Sequence, residues 1–308
     1  METINPSPIP YHVPALLKEA IELLDIKPSG TYIDATFGGG GHSRAIINAL
    51  GPEGRLFSLD RDMDAYENRI DDQRFFFVHG NFRHIENFMR YYGVEKVDGI
   101  LADFGVSFHH FDTPERGFSF RHDAPLDMRM NQKASITAAQ LLENADEKDL
   151  NAIFRNFADL KKPGLVVKNI IEAKIKAPIL TTTQLHDVVK DALDPRQEKK
   201  ELAQVFQALR IAVNHEADDL RLFLNASLNV LKPGGRLVTL TYHSMEDRMV
   251  KNFFKTGNID GKEEKDFFGN VATRWKLITR KPIEASQKEV EENPRARSAR
   301  LRCAQLIN

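Results

Sequence analysis

One cysteine, Cys303, stands in the whole sequence. That excludes an internal disulfide and suits a reducing compartment. Charge of one sign is equally lacking: 43 Lys and Arg against 44 Asp and Glu leave a net charge of -1. Any nucleic-acid partner must then be held by local basic patches, because the global field attracts no polyanion. No apolar run approaches the ~20 residues of a membrane span. The first ten residues, Met-Glu-Thr-Ile-Asn-Pro-Ser-Pro-Ile-Pro, lack the basic and apolar segments that open a secretory signal. The expectation is a cytoplasmic chain with no membrane partner. Repeats and low-complexity tracts are absent too. The remaining composition, 42% hydrophobic and 28% charged over 308 residues, suits one large domain or a domain with a sizeable insertion.

The most informative stretch is Thr31-Tyr-Ile-Asp-Ala-Thr-Phe-Gly-Gly-Gly-Gly-His-Ser43. It reads as a short apolar strand ending in Asp34, a glycine run from Gly38 to Gly41, and the start of a helix. Glycines belong where a ligand must approach the backbone more closely than a Cβ allows. A nicotinamide fingerprint would carry a third glycine where Ser43 stands, and it needs no acid on the first strand. The acid is present here and the glycine is not. The combination looks like the first motif of an S-adenosylmethionine site; a ligand-free surface turn is the plain alternative.

Strand and helix patterns then alternate. Apolar residues at 16, 17, 20, 23 and 24 predict a helix entered at Pro14. Strands are expected over residues 31–35, 54–59, 74–79 and 97–102, with helical segments over 42–50, 63–70 and 85–92. Continuous apolar strands between amphipathic helices indicate a parallel sheet covered on both faces. From 110 to 213 only helix-patterned pieces occur, at 137–142, 147–157, 168–176, 183–192 and 201–213. A helix over 218–231 and a strand over 236–242 resume the sheet pattern, followed by a helix over 245–254. Two last strand-like runs, 273–280 and 298–307, are joined by a linker, 281–295, too polar and short for a helical crossover. These runs should pair antiparallel, which differs from the all-parallel dinucleotide fold. The expected class is α/β: the Rossmann-like seven-stranded sheet of S-adenosylmethionine-dependent methyltransferases, with an inserted all-helical domain. Residues 1–109 and 214–308 would form the methyltransferase domain and 110–213 the helical one, on the RNA side.

Ligands of open α/β sheets sit beyond the carboxyl ends of the strands, where Asp34, Asp60 and Asp103 all fall. Asp60 is placed to accept ribose hydroxyls or to cap the next helix. Asp103 stands where amino-group methyltransferases put an acid beside the target amine, or serves as a turn cap. Phe82 could pack on an adenine or be a loop phenylalanine.

Eight runs carry a more specific resemblance. They are Tyr32–Ser43, Leu59-Asp-Arg-Asp62, Asp98-Gly-Ile-Leu-Ala-Asp-Phe-Gly-Val-Ser107, Glu115-Arg-Gly-Phe-Ser-Phe-Arg121 and Pro125-Leu-Asp-Met-Arg-Met130. Phe206-Gln-Ala-Leu-Arg-Ile-Ala-Val-Asn214, His243-Ser-Met-Glu-Asp-Arg248 and Asn293-Pro-Arg-Ala-Arg-Ser298 complete them. In this order, from about Tyr11 to the C-terminus, they resemble the bacterial RsmH (MraW) family. The resemblance implies methylation, from S-adenosylmethionine, of the exocyclic N4 amine of a cytosine in small-subunit ribosomal RNA near the decoding site. The implied cofactor positions are Gly40, Gly41, His42, Asp60, Phe82, Asp103 and His110. His110 stands where the family shows Gln, in a run Val106-Ser-Phe-His-His-Phe111 that replaces the usual Ser-Ser-Pro-Gln. Phe157-Ala-Asp-Leu160 and Lys200-Glu-Leu-Ala-Gln-Val205 also depart from the family's pattern.

Methyl transfer from a sulfonium is mainly a positioning problem. Asp103 could hold an N4 proton and stabilise the developing positive charge, or bind only the cofactor. His243 is a further catalytic candidate, or a structural histidine. The base must be splayed out of the RNA to be reached. Arg116, Arg121 and Arg129 are candidates for RNA phosphate, as are Arg295 and Arg297 at the entrance of the last strand. No metal ligand set is read from the sequence. The partner would be small-subunit ribosomal RNA or the assembled small subunit, and a homodimer is left open. A nicotinamide oxidoreductase is opposed by Ser43. A non-enzymatic RNA-binding factor is opposed by the retention of Asp34, Asp60, Asp103 and the glycine turn.

Overall fold

The computed structural model describes residues 14–105, 114–131, 136–265, 267, 269 and 271–307. Two compact units divide the chain: residues 1–105 with 219–308, and residues 106–218.

In the first unit, α1 (Leu17–Leu24) leads into β1 (Thr31–Asp34), α2 (Gly41–Ala49), β2 (Arg55–Asp60), β3 (Phe75–His79), α3 (Ile85–Tyr91) and β4 (Val97–Asp103). The sheet resumes with β5 (Leu231–Thr241), followed by α10 (Ser244–Thr256), β6 (Trp275–Leu277), β7 (Ile283–Glu284), α11 (Gln287–Glu292) and β8 (Arg300–Leu306). Strand order is β3-β2-β1-β4-β5-β8-β6, with β7 pairing β8 off this path. The first five are mutually parallel, and β8 runs antiparallel to β5. This is the expected Rossmann-like α/β order with an antiparallel last pair, and it holds eight strands where seven were expected, because the short β7 adds to β8. Every residue of β1 is buried, as a strand covered on both faces requires.

Three sequence expectations need correction. Residues 63–70 were expected to be helical, and the chain there forms a 3-10 helix over Met63–Asn68, capped by Asp62. The strand expected from 236 begins at Leu231, because Leu231 pairs Val97 before the register shifts to Gly99↔Arg236. The Lys232-Pro-Gly-Gly turn is thus a bulge within β5, held by Lys232 Nζ on Asp98 Oδ2 at 2.8 Å. The linker 281–295 is not a plain connection either. It holds β7, which pairs Ile283 with Leu301, and α11, whose N-cap Ser286 accepts from Glu289 N. Its polarity hid both, because each is short and lies on the surface.

The second unit is helical: α4 (Ala138–Asn144), α5 (Glu147–Phe157), α6 (Pro163–Lys176), α7 (Thr182–Val189) and α8 (Glu198–Val213), with α9 (Glu216–Val230) crossing the boundary at 218. Three of these helices start in capping boxes, Thr137/Gln140, Asp146/Asp149 and Thr181/Gln184. Such caps satisfy backbone N–H groups that a helix start otherwise leaves open. Their apolar faces close a core that includes Leu150, Phe154, Val167, Ile170, Leu185 and Val205. No strand of the main sheet lies among the described residues between β4 and β5; Pro125 and Thr181 form an isolated bridge. Among the described residues no helix is long and apolar enough to cross a membrane.

Candidate active site

The carboxyl ends of β1, β2 and β4 lie side by side in the sheet, with Asp34 opposite Ser58 and Leu101. The parallel register therefore brings Asp34, Asp60 and Asp103 to one rim, although they are 69 residues apart in sequence from first to last (103 − 34).

Asp34 is fully buried and does structural work. Ser43 Oγ donates to it at 2.6 Å, Ser43 also meets Ser58 Oγ at 2.7 Å, and Thr36 N donates at 3.2 Å. Burial pushes its carboxyl up to about 6, against the Ser43 and Thr36 hydrogen bonds. Ser43 stands where a dinucleotide fingerprint would have its third glycine because its hydroxyl ties the start of α2 to β1 and β2. Neither partner was legible as a pair from spacing.

The glycine turn is shaped by its own backbone. Gly38 and Gly40 have φ of 49° and 73°, in the left-handed region that favours glycine. A Cβ on Gly40 would lie 2.8 Å from both Arg44 Nη1 and the Phe37 ring, and one on Gly41 would lie 2.3 Å from Pro14. A Cβ on Gly38 would meet nothing within 4 Å. Gly40 and Gly41 are therefore required by packing, whereas Gly38 faces open space beside Asp60. Arg44 braces the turn through Gly39 O at 2.6 Å and Asn68 O at 2.9 Å, while Asn68 donates to Gly38 O at 3.1 Å. Sequence reading missed Arg44 and Asn68, for which no motif signal exists.

Asp60 is not the cap of the following helical turn; that is Asp62, whose side chain accepts from Asp64 N. Asp60 Oδ2 accepts from Gly38 N and Oδ1 from Asp62 N, both at 2.8 Å. The two donors fix the carboxylate and leave further lone pairs on each oxygen for hydroxyl donors. Burial nonetheless raises its pKa.

Phe82 is half-buried, and its ring meets Phe104 at 5.7 Å and Phe223 at 5.4 Å, both edge to face. Its position is set by neighbours on either side. Asn81 Nδ2 donates to buried Asp219 at 2.5 Å, and Arg83 Nη1 pairs with the other oxygen at 3.1 Å.

Asp103 ends β4 opposite Leu240, with its side chain 22% exposed. Burial pushes its carboxyl up to about 7; a hydrogen bond from the Tyr242 hydroxyl opposes this, and the charges of Asp34 and Glu246 add to it. Its Oδ2 lies 3.8 Å from His42 Nδ1. Asp103 Oδ1 and His42 Nε2 are both buried without a hydrogen-bond partner among the described residues. Burial lowers the His42 pKa to about 4, so the ring is neutral at pH 7. Two unpartnered polar atoms at one rim are costly in a bare protein and mark where a polar ligand would bond.

His243 is placed otherwise than a free substrate contact. Its Nε2 lies 2.8 Å from Glu246 Oε1, the pair is nearly buried, and Glu246 Oε2 accepts from Tyr242 N at 3.0 Å. In the helical unit Arg129 is held bidentate by Asp127, at 2.8 and 2.7 Å. Arg116 donates to the carbonyls of Arg129 and Met130, while Arg121 is exposed. Arg295 and Arg297 lie in a 3-10 helix, Pro294–Ser298, and not on the last strand as expected. Proline at the first turn and the Asn293 carbonyl, which accepts from Ala296 N, start that turn one step before β8. His110 lies outside the described residues.

A sequence profile of the MraW methylase family matches residues 10–307. A relative from Phocaeicola vulgatus named "Ribosomal RNA small subunit methyltransferase H" is 54% identical over 295 residues, covering 96% of this chain and 97% of that protein. Relatives of the same name from Bacteroides thetaiotaomicron and Parabacteroides distasonis are each 52% identical, over 96% of this chain and 97% and 98% of theirs.

Proposed function

This chain belongs to the MraW methylase family, and from that premise we propose that it transfers a methyl group from S-adenosylmethionine to the exocyclic N4 amine of a cytosine in small-subunit ribosomal RNA, near the decoding site. The observation that carries the reading is the rim itself: a glycine turn open at Gly38, with a doubly anchored Asp60 on one side and a partly exposed Asp103 on the other. A ribosomal RNA substrate suits a cytoplasmic enzyme, in keeping with the single, buried Cys303.

The residues fit the cofactor. Asp60 would accept the ribose hydroxyls, Phe82 would pack on the adenine, and the backbone from Gly38 to Gly41 would lie under the amino-acid part. S-adenosylmethionine supplies a methyl group on a positively charged sulfur. His42, neutral at pH 7, adds no positive charge that would repel it.

The chain's own part in the reaction is to orient the amine. The N4 lone pair of cytosine is delocalised into the ring and attacks poorly. Asp103, when ionised, would accept a hydrogen bond from one N4–H, turning the lone pair toward the methyl group and stabilising the charge that develops on nitrogen. The Tyr242 hydroxyl, which favours the ionised carboxyl, would steady it there. The N4 proton lost on methylation would pass to Asp103 or to water. His243 would act through Glu246, fixing the turn after β5. Arg121 and the helical unit would contribute to RNA binding, with Arg116 and Arg129 shaping the loop that carries them.

Labelled methyl incorporation into small-subunit RNA or subunits lacking the modification, followed by nucleoside analysis, tests the activity. Label in any product other than N4-methylcytidine overturns it. For the cofactor site, Asp60→Ala should cost about 1–3 kcal/mol of S-adenosylmethionine affinity, as expected when a charged hydrogen-bond partner is removed. Calorimetry on the folded variant checks this, and unchanged affinity removes Asp60 from the site.

A further inference from the structure

The far edge of the sheet carries a cationic stripe. Residues 271–283 include Arg274, Lys276, Arg280 and Lys281 and not one acid, in a chain whose net charge is -1. All four are exposed. Lys276, Arg280 and Lys281 form no ion pair among the described residues, whereas the neighbouring Arg300 and Arg302 are bound to Asp247. Trp275, 3% exposed, packs against Phe253 and Phe254 and turns β6 so that Arg274 and Lys276 fall on the opposite, solvent side.

The stripe has a direction. β6 pairs Trp275 with Leu306 and Leu277 with Ala304, level with the amino-terminal part of β5. The chain then follows β8 upward: Ile278 and Thr279 N both donate to Cys303 O at 3.1 Å, and β7 sets Ile283 opposite Leu301 and Glu284 opposite Arg300. Since Arg300 also pairs with Thr241, this interrupted edge strand climbs from the base of the sheet to the rim where β5 ends. Exposed Arg297 lies just beyond that end. At the lower end Phe267, 98% exposed, precedes the stripe on a short segment closed by the Lys265–Val271 bridge.

Edge strands often carry lysine merely to discourage pairing with other chains. The opposite edge argues against that as the whole account. β3 is also an edge strand and carries no Lys or Arg, and Arg74 just before it is neutralised by Asp72 at 2.6 Å.

We propose that this edge, from Arg274 through Lys276, Arg280 and Lys281, is a track for the phosphate backbone of the RNA substrate, leading one strand to the catalytic rim. The proposal rests on the RNA methyltransferase reading. Exposed cations along such an edge, Lys276, Arg280 and Lys281 among them, bind a polyanion by releasing its counterions and carry no base specificity. Phe267 offers a ring on which a base can stack at the entry.

The test is Lys276→Gln/Arg280→Gln/Lys281→Gln, with Lys18→Gln/Lys96→Gln/Lys288→Gln as a charge-matched control on the same unit. The probe is a small-subunit RNA fragment that the wild-type enzyme methylates, so failure of the activity itself is seen first and separately. The edge variant should bind this RNA at least tenfold more weakly, and the slope of log K against log salt should fall by about 2, near 0.7 per lost single-strand phosphate contact. KM for RNA should rise while kcat at saturating RNA and S-adenosylmethionine affinity stay unchanged, and the control should bind like wild type. Unchanged RNA affinity and salt slope overturn the proposal, as does equal weakening in the control. Self-association of the edge variant with undiminished RNA binding overturns it too, and assigns the cations to edge protection.

Discussion

Asp103→Asn is expected to slow single-turnover methyl transfer at saturating S-adenosylmethionine and RNA by roughly ten- to a thousand-fold, its upper part matching the loss of about a hundred- to a thousand-fold when one preorganised charge-stabilising group is removed. Asparagine keeps the size and one acceptor of Asp103 but not the charge that opposes the positive charge growing on N4. An interaction that strengthens in the transition state changes the rate, not affinity alone. The pH dependence follows from the carboxyl's raised pKa of about 7. The ionised form is the working one, so kcat/KM for S-adenosylmethionine should rise with pH through about 7 and level off above it, and the variant should lose that step. A wild-type saturated rate with only weaker cofactor binding makes Asp103 a binding residue.

The same substitution should stabilise the protein. In the folded state Asp103 titrates near 7, against an ordinary 3.8. Between these values the folded protein holds more protons than the unfolded chain, so stability falls as pH rises through this window. Asparagine removes that penalty. The melting temperature of Asp103→Asn should therefore exceed wild type at pH 8, with the gain shrinking toward pH 4. Loss of stability at pH 8 would show that the buried charge is better compensated than its surroundings suggest.

The largest effect on stability is expected at Asp247, in the first turn of α10. Arg302 Nε and Nη2 donate to its two oxygens at 2.7 and 3.1 Å, and Arg300 Nη1 reaches Oδ2 at 3.3 Å. Asp247 and Arg302 side chains are only 10% and 8% exposed. Asp247→Ala leaves the Arg302 guanidinium buried without its anion, which costs about 3–5 kcal/mol. Urea unfolding followed by the lone tryptophan, Trp275, reports on this part of the sheet, since Trp275 packs on Phe253 of the same helix. Asp247→Asn retains an acceptor and should lose less. A loss under about 1 kcal/mol for the alanine variant would mean that water or another acceptor reaches the guanidinium.

The sequence alone determined the elements and their class, because local physics suffices for them. Continuous apolar runs such as Tyr32-Ile33 and Ile100-Leu101-Ala102 read as strands buried on both faces, and all are buried. The acid at each strand end and the glycines of the turn were legible for the same reason: backbone geometry and the carboxyl edge of a parallel sheet act on residues near in sequence. Where local signals are weak, the reading failed. β7 is two residues long and exists only because β8 offers it an edge. Residues 63–68 are helical in pattern, but their hydrogen bonds close the tighter 3-10 turn.

Only the tertiary structure decided what each charged side chain does. Asp34 and Asp60 look alike as strand-end acids, yet one is spent on Ser43 and the backbone, and the other is anchored with oxygen lone pairs to spare. Arg295 and Arg297 read as the entrance of the last strand but fall in a 3-10 turn, while Arg300 and Arg302 on that strand are held by Asp247. His243 is bound to Glu246. For most of them the reason is range: Arg302 meets Asp247 55 residues away and Asp60 meets Gly38 N 22 residues away, and sequence spacing carries no record of such partners.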